Sequence, residues 1–228
     1  MKHILGGVYT KLRGRQLAPE VPSTVLLGFA TRKACEAARG AILGMPYHHG
    51  KLHFRGRHVR VTCPSRLRIG SGVAFGDGVL IEAFSKNGIQ LGDAVTLARG
   101  ASLCASGVIA EPGEGISIGA NTAIGMYNTV WGQGGVSIGS NTLLGPNVLI
   151  VSENHRFDRA NELIREQSTT RAPVSIGNDC WLGVGVVVLA GVTVGDGCVL
   201  GAGAVVTRSL PSGSVAVGVP ARVIERRY

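Results

Sequence analysis

The stretch Ile176-Gly-Asn-Asp-Cys-Trp-Leu182-Gly-Val-Gly-Val-Val-Val188-Leu-Ala-Gly-Val-Thr-Val194-Gly-Asp-Gly-Cys-Val-Leu200-Gly-Ala-Gly-Ala-Val-Val206 decides the fold. Taken in steps of six it reads Ile, Leu, Val, Val, Leu, Val, with no exception. Working outward toward the N-terminus, the same step recurs at Ile138, Leu144 and Ile150, and at Ile118, Ile124 and Val130. It recurs again at Leu91, Leu97 and Leu103, and at Ile69, Phe75 and Ile81. A six-residue period fits neither an α-helix nor an isolated amphipathic strand. Three such steps make a turn of three short flat faces. Each face is too short to stand alone, and each pairs with the turn above and below. The prediction is a mainly β protein: a parallel β-helix of about six coils, its aliphatic column stacked inside a triangular prism at about 4.8 Å per coil.

The breaks in the period are as informative as the period. Beyond the 18 residues of a coil, the chain inserts 4 residues after the first coil, then 9, 2, 20 and 0. Every insertion fits between the third step of one coil and the first of the next. All the loops therefore leave from one edge, the longest (residues 151–173) included. At its root lies Ile150-Val-Ser-Glu-Asn-His-Arg-Phe-Asp158, which holds the only histidine after residue 58. A side chain lifted off a rigid scaffold on a loop is well placed for chemistry.

Composition narrows the class. The five cysteines form no CxxC pair and no metal-ligand spacing, so reduced thiols in a cytoplasmic protein are expected, with no metal. No uncharged run reaches the roughly 20 residues of a membrane span, and residues 1–16 lack the apolar segment of a signal peptide. The net charge of +9 is uneven: residues 1–68 hold 13 Lys/Arg against Glu20 and Glu36, whereas residues 69–228 are slightly acidic. Residues 1–22 read as an extended basic arm. Residues 23–44 read as an amphipathic helix with Arg32, Lys33, Glu36 and Arg39 along its polar side. That helix either packs on its own domain or a neighbouring subunit, or makes a peripheral contact with an inner membrane. The division expected is a basic N-terminal arm over 1–64 and the β-helix over 65–228, with a C-terminal tail. No feature points to nucleic acid.

Within the β-helix, His155 is the candidate general base. Glu153, Asp158 or a backbone carbonyl could orient its second ring nitrogen, and the sequence leaves the three open. Gly183-Val-Gly185 and Gly201-Ala-Gly203 are 18 residues apart and stack on adjacent coils, leaving a backbone-lined groove for a long thin ligand. Arg208 and Arg222 lie toward its end, where they could meet phosphates. Cys180 and Cys198, also 18 apart, read as a small buried ladder. Trp181 reads as structural, covering the return of the long loop. Tyr127, Asn128, Trp131 and Gln133, one coil before His155, are candidate contacts for a second substrate.

These motifs, with Gly218-Val-Pro-Ala-Arg222, resemble the left-handed β-helix acetyltransferases over roughly residues 65–225. They are most similar to the sugar and polysaccharide O-acetyltransferases of galactoside, maltose and colanic-acid type. The resemblance implies a left-handed coil, a homotrimer with active sites between subunits, and acetyl-CoA as cosubstrate. It matches His155 to the catalytic base and the Val184 N–H to the group that stabilises the oxyanion. It matches Ala202, Thr207, Arg208 and Arg222 to coenzyme A contacts. Two departures stand out. Gly125 and Gln133 replace polar acceptor-binding residues of the galactoside type, and Arg208 replaces a more usual lysine. The expected activity is O-acetylation of a sugar hydroxyl on a polysaccharide, glycolipid or nucleotide sugar. N-acetylation of an amino sugar or antibiotic is the second reading, and a non-catalytic trimeric scaffold a distant third. A β-helix carbonic anhydrase would need about three imidazoles on zinc, and the repeat region has one.

Overall fold

The computed structural model describes residues 18, 20–42, 48–50 and 52–228. Most of the arm expected over residues 1–22 lies outside them. The repeat region is a left-handed parallel β-helix with three flat faces. Face A runs from His48–His49 through Leu67–Ile69, Ile89–Leu91, Ile116–Ile118, Val136–Ile138 and Val174–Ile176 to Thr193–Val194. Face B begins at His53–Arg55, climbs through Val73–Phe75, Thr96–Leu97, Ala123–Ile124, Leu143–Leu144 and Trp181–Leu182 to Val199–Leu200, and ends in an antiparallel pair, Ser214–Val217 with Arg222–Arg226. Face C stacks Arg60–Thr62, Leu80–Glu82, Ser102–Cys104, Thr129–Trp131, Leu149–Val151, Val187–Val188 and Val205–Val206.

The register equals the sequence period. Ile118 pairs with Ile138, Ile124 with Leu144 and Val130 with Ile150, so each aliphatic step sits on the next. These side chains are almost wholly buried, and burying each contributes about 1.5–3 kcal/mol. A second interior column follows the A–B corner: Val73, Val95, Thr122, Thr142, Cys180 and Cys198, all buried. Thr142 donates through Oγ1 to the Gly177 carbonyl at 2.9 Å and receives Cys180 N–H at 3.1 Å. The Cys180 and Cys198 thiols donate to the Gly195 and Pro211 carbonyls, each at 3.2 Å. The two thiols thus end a ladder of polar groups satisfied from one coil to the next, and both are free. Burial is the main cause that pushes the Cys180 thiol above its usual range.

The prism has one coil more than the period announces. His49, Arg55 and Val61 keep the six-residue step and pair with Ile69, Phe75 and Ile81. Residues 48–62 are therefore the first coil. Arg55 stands where every later coil has an apolar residue, Phe75 or an aliphatic one, and this hides the coil in the sequence. It is tolerated because, among the described residues, no further coil lies below. Arg55 donates through Nη2 to the Val59 carbonyl at 2.7 Å, and its own carbonyl receives Arg39 Nε at 2.9 Å.

Arg39 belongs to helix α1 (Ser23–Ile42), which lies along the first coil's strand on face B. The helix docks through Leu26, Phe29, Lys33, Glu36 and Gly40, at the i, i+3, i+4 spacing of one helical face. Lys33 pairs with Glu36, and its ammonium lies 5.2 Å from the centroid of the Phe54 ring. The polar side expected to face water is therefore partly the docking side, while Val25 and Leu27 are exposed. No described helix is long and apolar enough to cross a membrane.

Candidate active site

All the insertions leave at the C–A corner. Residues 83–88, 105–115, 132–135 and 152–173 each join a face C strand to the next face A strand. The longest is more ordered than a loop. Glu153–His155 pairs antiparallel with Thr169–Arg171, setting Glu153 opposite Arg171 and His155 opposite Thr169. Ser152 pins the root of this hairpin. Its buried hydroxyl donates to the Trp131 carbonyl at 2.7 Å and accepts the Gly134 N–H at 2.9 Å. Its carbonyl receives the Ala172 N–H at 3.0 Å.

Strand alternation puts Glu153 and His155 on the same side of the hairpin. The Glu153 carboxylate accepts Trp131 Nε1–H at 3.1 Å, which ties the hairpin to the coil below. The His155 ring is exposed and makes no hydrogen bond to a described residue, and Asp158 makes none to it. The neighbouring loop, residues 105–115, braces the hairpin. Arg171 bridges Glu111 at 3.0 Å and donates to the Pro112 carbonyl at 3.2 Å. This brace could have been suspected from the nine-residue insertion at the same corner.

The B–C corner has no insertion in any coil. Its stacked residues run Gly183-Val184-Gly185 and Gly201-Ala202-Gly203, with Gly145-Pro146-Asn147 and Gly125-Met126-Tyr127 below. Glycine is required in the first position of each: a Cβ on Gly145 would come within 3.0 Å of Val184 N, and one on Gly183 within 2.8 Å of Ala202 N. The third position has positive φ in every coil: His58, Gly78, Gly100, Tyr127, Asn147, Gly185 and Gly203. Gly185 and Gly203 face open space, so the corner is a shallow trough of backbone. Within it the Val184 N–H donates to no described group, whereas the Gly185 and Gly203 N–H groups on either side of the column are taken, by Pro146 O at 3.0 Å and Val184 O at 2.8 Å. The trough ends beneath residues 218–222, where the Ala221 N–H reaches Val205 O at 2.8 Å and Arg222 pairs with Val217.

The candidate residues thus fall into two groups on two edges. Val184, Ala202, Arg222 and Tyr127 line the B–C corner. His155, Glu153, Asp158, Trp131, Thr207 and Arg208 lie at the C–A corner, the last two at the top coil. A face C strand separates the groups, about five residues or ~16 Å at about 3.3 Å each. Two second-substrate candidates are placed differently from the expectation. Asn128 is 0% exposed and points into the prism, in a column otherwise Val or Ala; its Oδ1 accepts the Val148 N–H at 2.7 Å. Gln133 is 2% exposed and holds the 105–115 loop, accepting the Gly107 N–H at 2.6 Å and donating to the Glu111 carbonyl at 2.9 Å. Trp181 lies exposed on the outer side of face B, away from the loop it was expected to cover.

The fold and the trough define a parallel β-helix protein of the hexapeptide-repeat class. Residues 173–208 match the family model described as the hexapeptide repeat of succinyl-transferase. The chain is 40% identical over 112 residues to the galactoside O-acetyltransferase of Escherichia coli (strain K12), a match covering 49% of this chain and 54% of that one. It is 43% identical over 111 residues to nodulation protein L of Rhizobium leguminosarum bv. viciae, covering 49% and 57%. The chain therefore spans little more than half the length of either relative. The solved structure of AntD, an N-acyltransferase from Bacillus cereus in complex with dTDP and 3-hydroxybutyryl-CoA, shares the fold at 17% identity, with a TM-score of 0.56 over 84% of this chain and 88% of that one. Its repeat region is similar to hexapeptide-repeat acetyltransferases over about half of the chain.

Proposed function

We propose that this protein transfers an acetyl group from acetyl-CoA to a sugar hydroxyl, with His155 as general base. The observation that carries the reading is the presence of an imidazole with no described hydrogen-bond partner on one edge and an N–H with no described acceptor, flanked by glycines, in a trough on another. The trough suits a pantetheine arm, which is thin and bonds to main-chain groups. Arg222 at its head supplies charge for phosphates. His155 takes the proton of the attacking hydroxyl as oxygen bonds to the thioester carbonyl carbon. The Val184 N–H then meets the oxyanion of the tetrahedral intermediate. Collapse of that intermediate expels the thiolate, and the His155 proton passes to the sulfur.

Because the two groups lie on different edges of one chain, the complete site forms between two chains. The hairpin of one reaches the trough of the next, with Thr207 and Arg208 contributed from the hairpin's side. A head-to-tail contact of this kind closes into a ring, and a homotrimer of prisms is the arrangement proposed. Two results test the reading. His155→Ala should bind coenzyme A and form no ester. Co-expression of His155→Ala with a second inactive variant, Val184→Pro, should restore about a quarter of wild-type activity, the share of interfaces carrying both intact halves in randomly mixed rings. No restoration would show that both halves act within one chain. An amide product resistant to mild base would replace the O-acetyl reading with the N-acetyl one.

A further inference from the structure

The B–C corner does not stop at the trough. Below Val184 the stacked position passes through Pro146 and Met126 to Arg99, then Asp77 and Arg57. On the acetyl-CoA reading, the donor rises from Val184 toward Arg222. The acceptor therefore stands on the other side of Val184, along these lower coils.

Two features mark this stretch as more than a solvated edge. The first is charge. Arg99, Arg57 and Arg60 are exposed, and none of their guanidinium groups makes a hydrogen bond or ion pair with a described residue. The single acid among them, Asp77, is occupied on one oxygen by the Arg57 N–H at 2.7 Å. Unneutralised cations along one edge raise the local potential for an anion.

The second is Tyr127. It holds φ at 57° in a column otherwise filled by glycine, asparagine or histidine, a conformation a bulky side chain adopts at a cost of order 1–3 kcal/mol. The edge of its ring comes down against Gly100, so close that a Cβ there would sit 2.6 Å from Tyr127 Cε1. The ring is thus laid down the corner beside Arg99, 57% exposed and with no hydrogen bond from its hydroxyl to a described residue. An exposed aromatic ring one coil above an arginine with no described partner is an arrangement that can take a sugar ring and an anionic group together.

We propose that Tyr127 and Arg99 form the acceptor subsite and that they select a saccharide carrying negative charge, a phosphate or a carboxylate, over a neutral one. Arg99 lies three coils below Val184, ~14 Å at about 4.8 Å per coil. The charge is therefore read at a distance from the acetylated hydroxyl, as in a glycosyl phosphate or an acidic residue one unit along a glycan.

The test uses the full-length protein and four acceptors: glucose, glucose 1-phosphate, UDP-glucose and methyl glucuronide. Wild type should show kcat/KM at least tenfold higher for the charged acceptors than for glucose, with the gap narrowing as salt is raised. Arg99→Ala should remove that preference through KM, while KM for acetyl-CoA stays within twofold. Arg99→Lys should keep part of it. Preference for the two phosphates alone assigns phosphate as the charge read; preference extending to glucuronide assigns any anion. Equilibrium binding of UDP-glucose to wild type and Arg99→Ala, without donor, gives a readout independent of turnover and should differ tenfold. Equal use of neutral and charged acceptors, or equal UDP-glucose binding by the two proteins, overturns the subsite. Failure of the acetyl-transfer reading would look different: no coenzyme A binding and no ester from any acceptor.

Discussion

Val184→Pro isolates a single hydrogen atom. The substitution removes the N–H assigned to the oxyanion, and the fold has already tested the same residue one coil below. Pro146 occupies the equivalent place in the stack, preceded by Gly145 as Val184 is preceded by Gly183. The turn around it closes in the same way, with the Asn147 N–H on Met126 O at 2.9 Å where Gly185 N–H meets Pro146 O at 3.0 Å. The Val184 N–H has no described acceptor to lose and the side chain is 51% exposed. The change should therefore move stability by no more than about 1 kcal/mol in either direction. Losing one preorganised oxyanion donor costs about 10²–10³ in kcat, roughly 2.7–4 kcal/mol. The assay pairs steady-state acetyl transfer with calorimetric titration of coenzyme A. The expected pattern is a hundredfold or greater loss in kcat, coenzyme A affinity within threefold, and Val184→Ala close to wild type. Val184→Pro that keeps kcat within threefold would refute the assignment of this N–H and, with it, the placement of the thioester on the B–C corner.

The root of the His155 hairpin should prove as sensitive as the histidine. Ser152→Ala strands the buried Gly134 N–H and removes one donor from the Trp131 carbonyl, a loss of about 2–4 kcal/mol. It should lower kcat at least tenfold with coenzyme A binding intact, and urea denaturation with matched kinetics checks both. Trp131→Phe removes the donor to Glu153 and should act on the same hairpin, raising amide exchange at residues 153–155 and 169–171 while the coils stay protected. In native protein, iodoacetamide should label the exposed Cys35 and leave Cys104, Cys180 and Cys198 untouched. Burial both hides these three and pushes the Cys104 and Cys180 thiols up, so less thiolate forms at neutral pH. Peptide mass spectrometry reads the order of labelling.

The coils from Ile69 to Val206 were legible because the fold repeats one demand: an aliphatic side chain at each inward step. His49-Arg55-Val61 escaped the same reading because the end of a stack faces a helix instead of another coil, and there an arginine can use its donors on carbonyls such as Val59 O. Chemical type placed His155 among the candidates, the family resemblance placed Val184 there, and counting residues put each at its corner. Counting did not show that the corners differ by a whole face, because a period in one dimension gives height and phase but no lateral separation. Asn128 and Gln133 misled for a related reason. A polar residue near a site reads as a contact, yet each is spent inward, one on the Val148 N–H and the other on the 105–115 loop. Tyr127 stood among the second-substrate candidates, but Arg99 carried too weak a local signal. Their meaning comes from standing on the same edge, 28 residues apart in the chain and one coil apart in space.

The restriction of insertions to the C–A corner separates two kinds of change the molecule can accept. A residue gained or lost at the B–C corner would shift every ladder bond above it and close the trough. At the C–A corner the structure already tolerates loops from four residues (132–135) to twenty-two (152–173) without a change of register on face A. The trough is therefore a fixed unit, while the loops beside His155 can be lengthened, shortened or re-braced one at a time. The surroundings of His155 can change on such a scaffold by small steps, none of which has to pass through a broken coil.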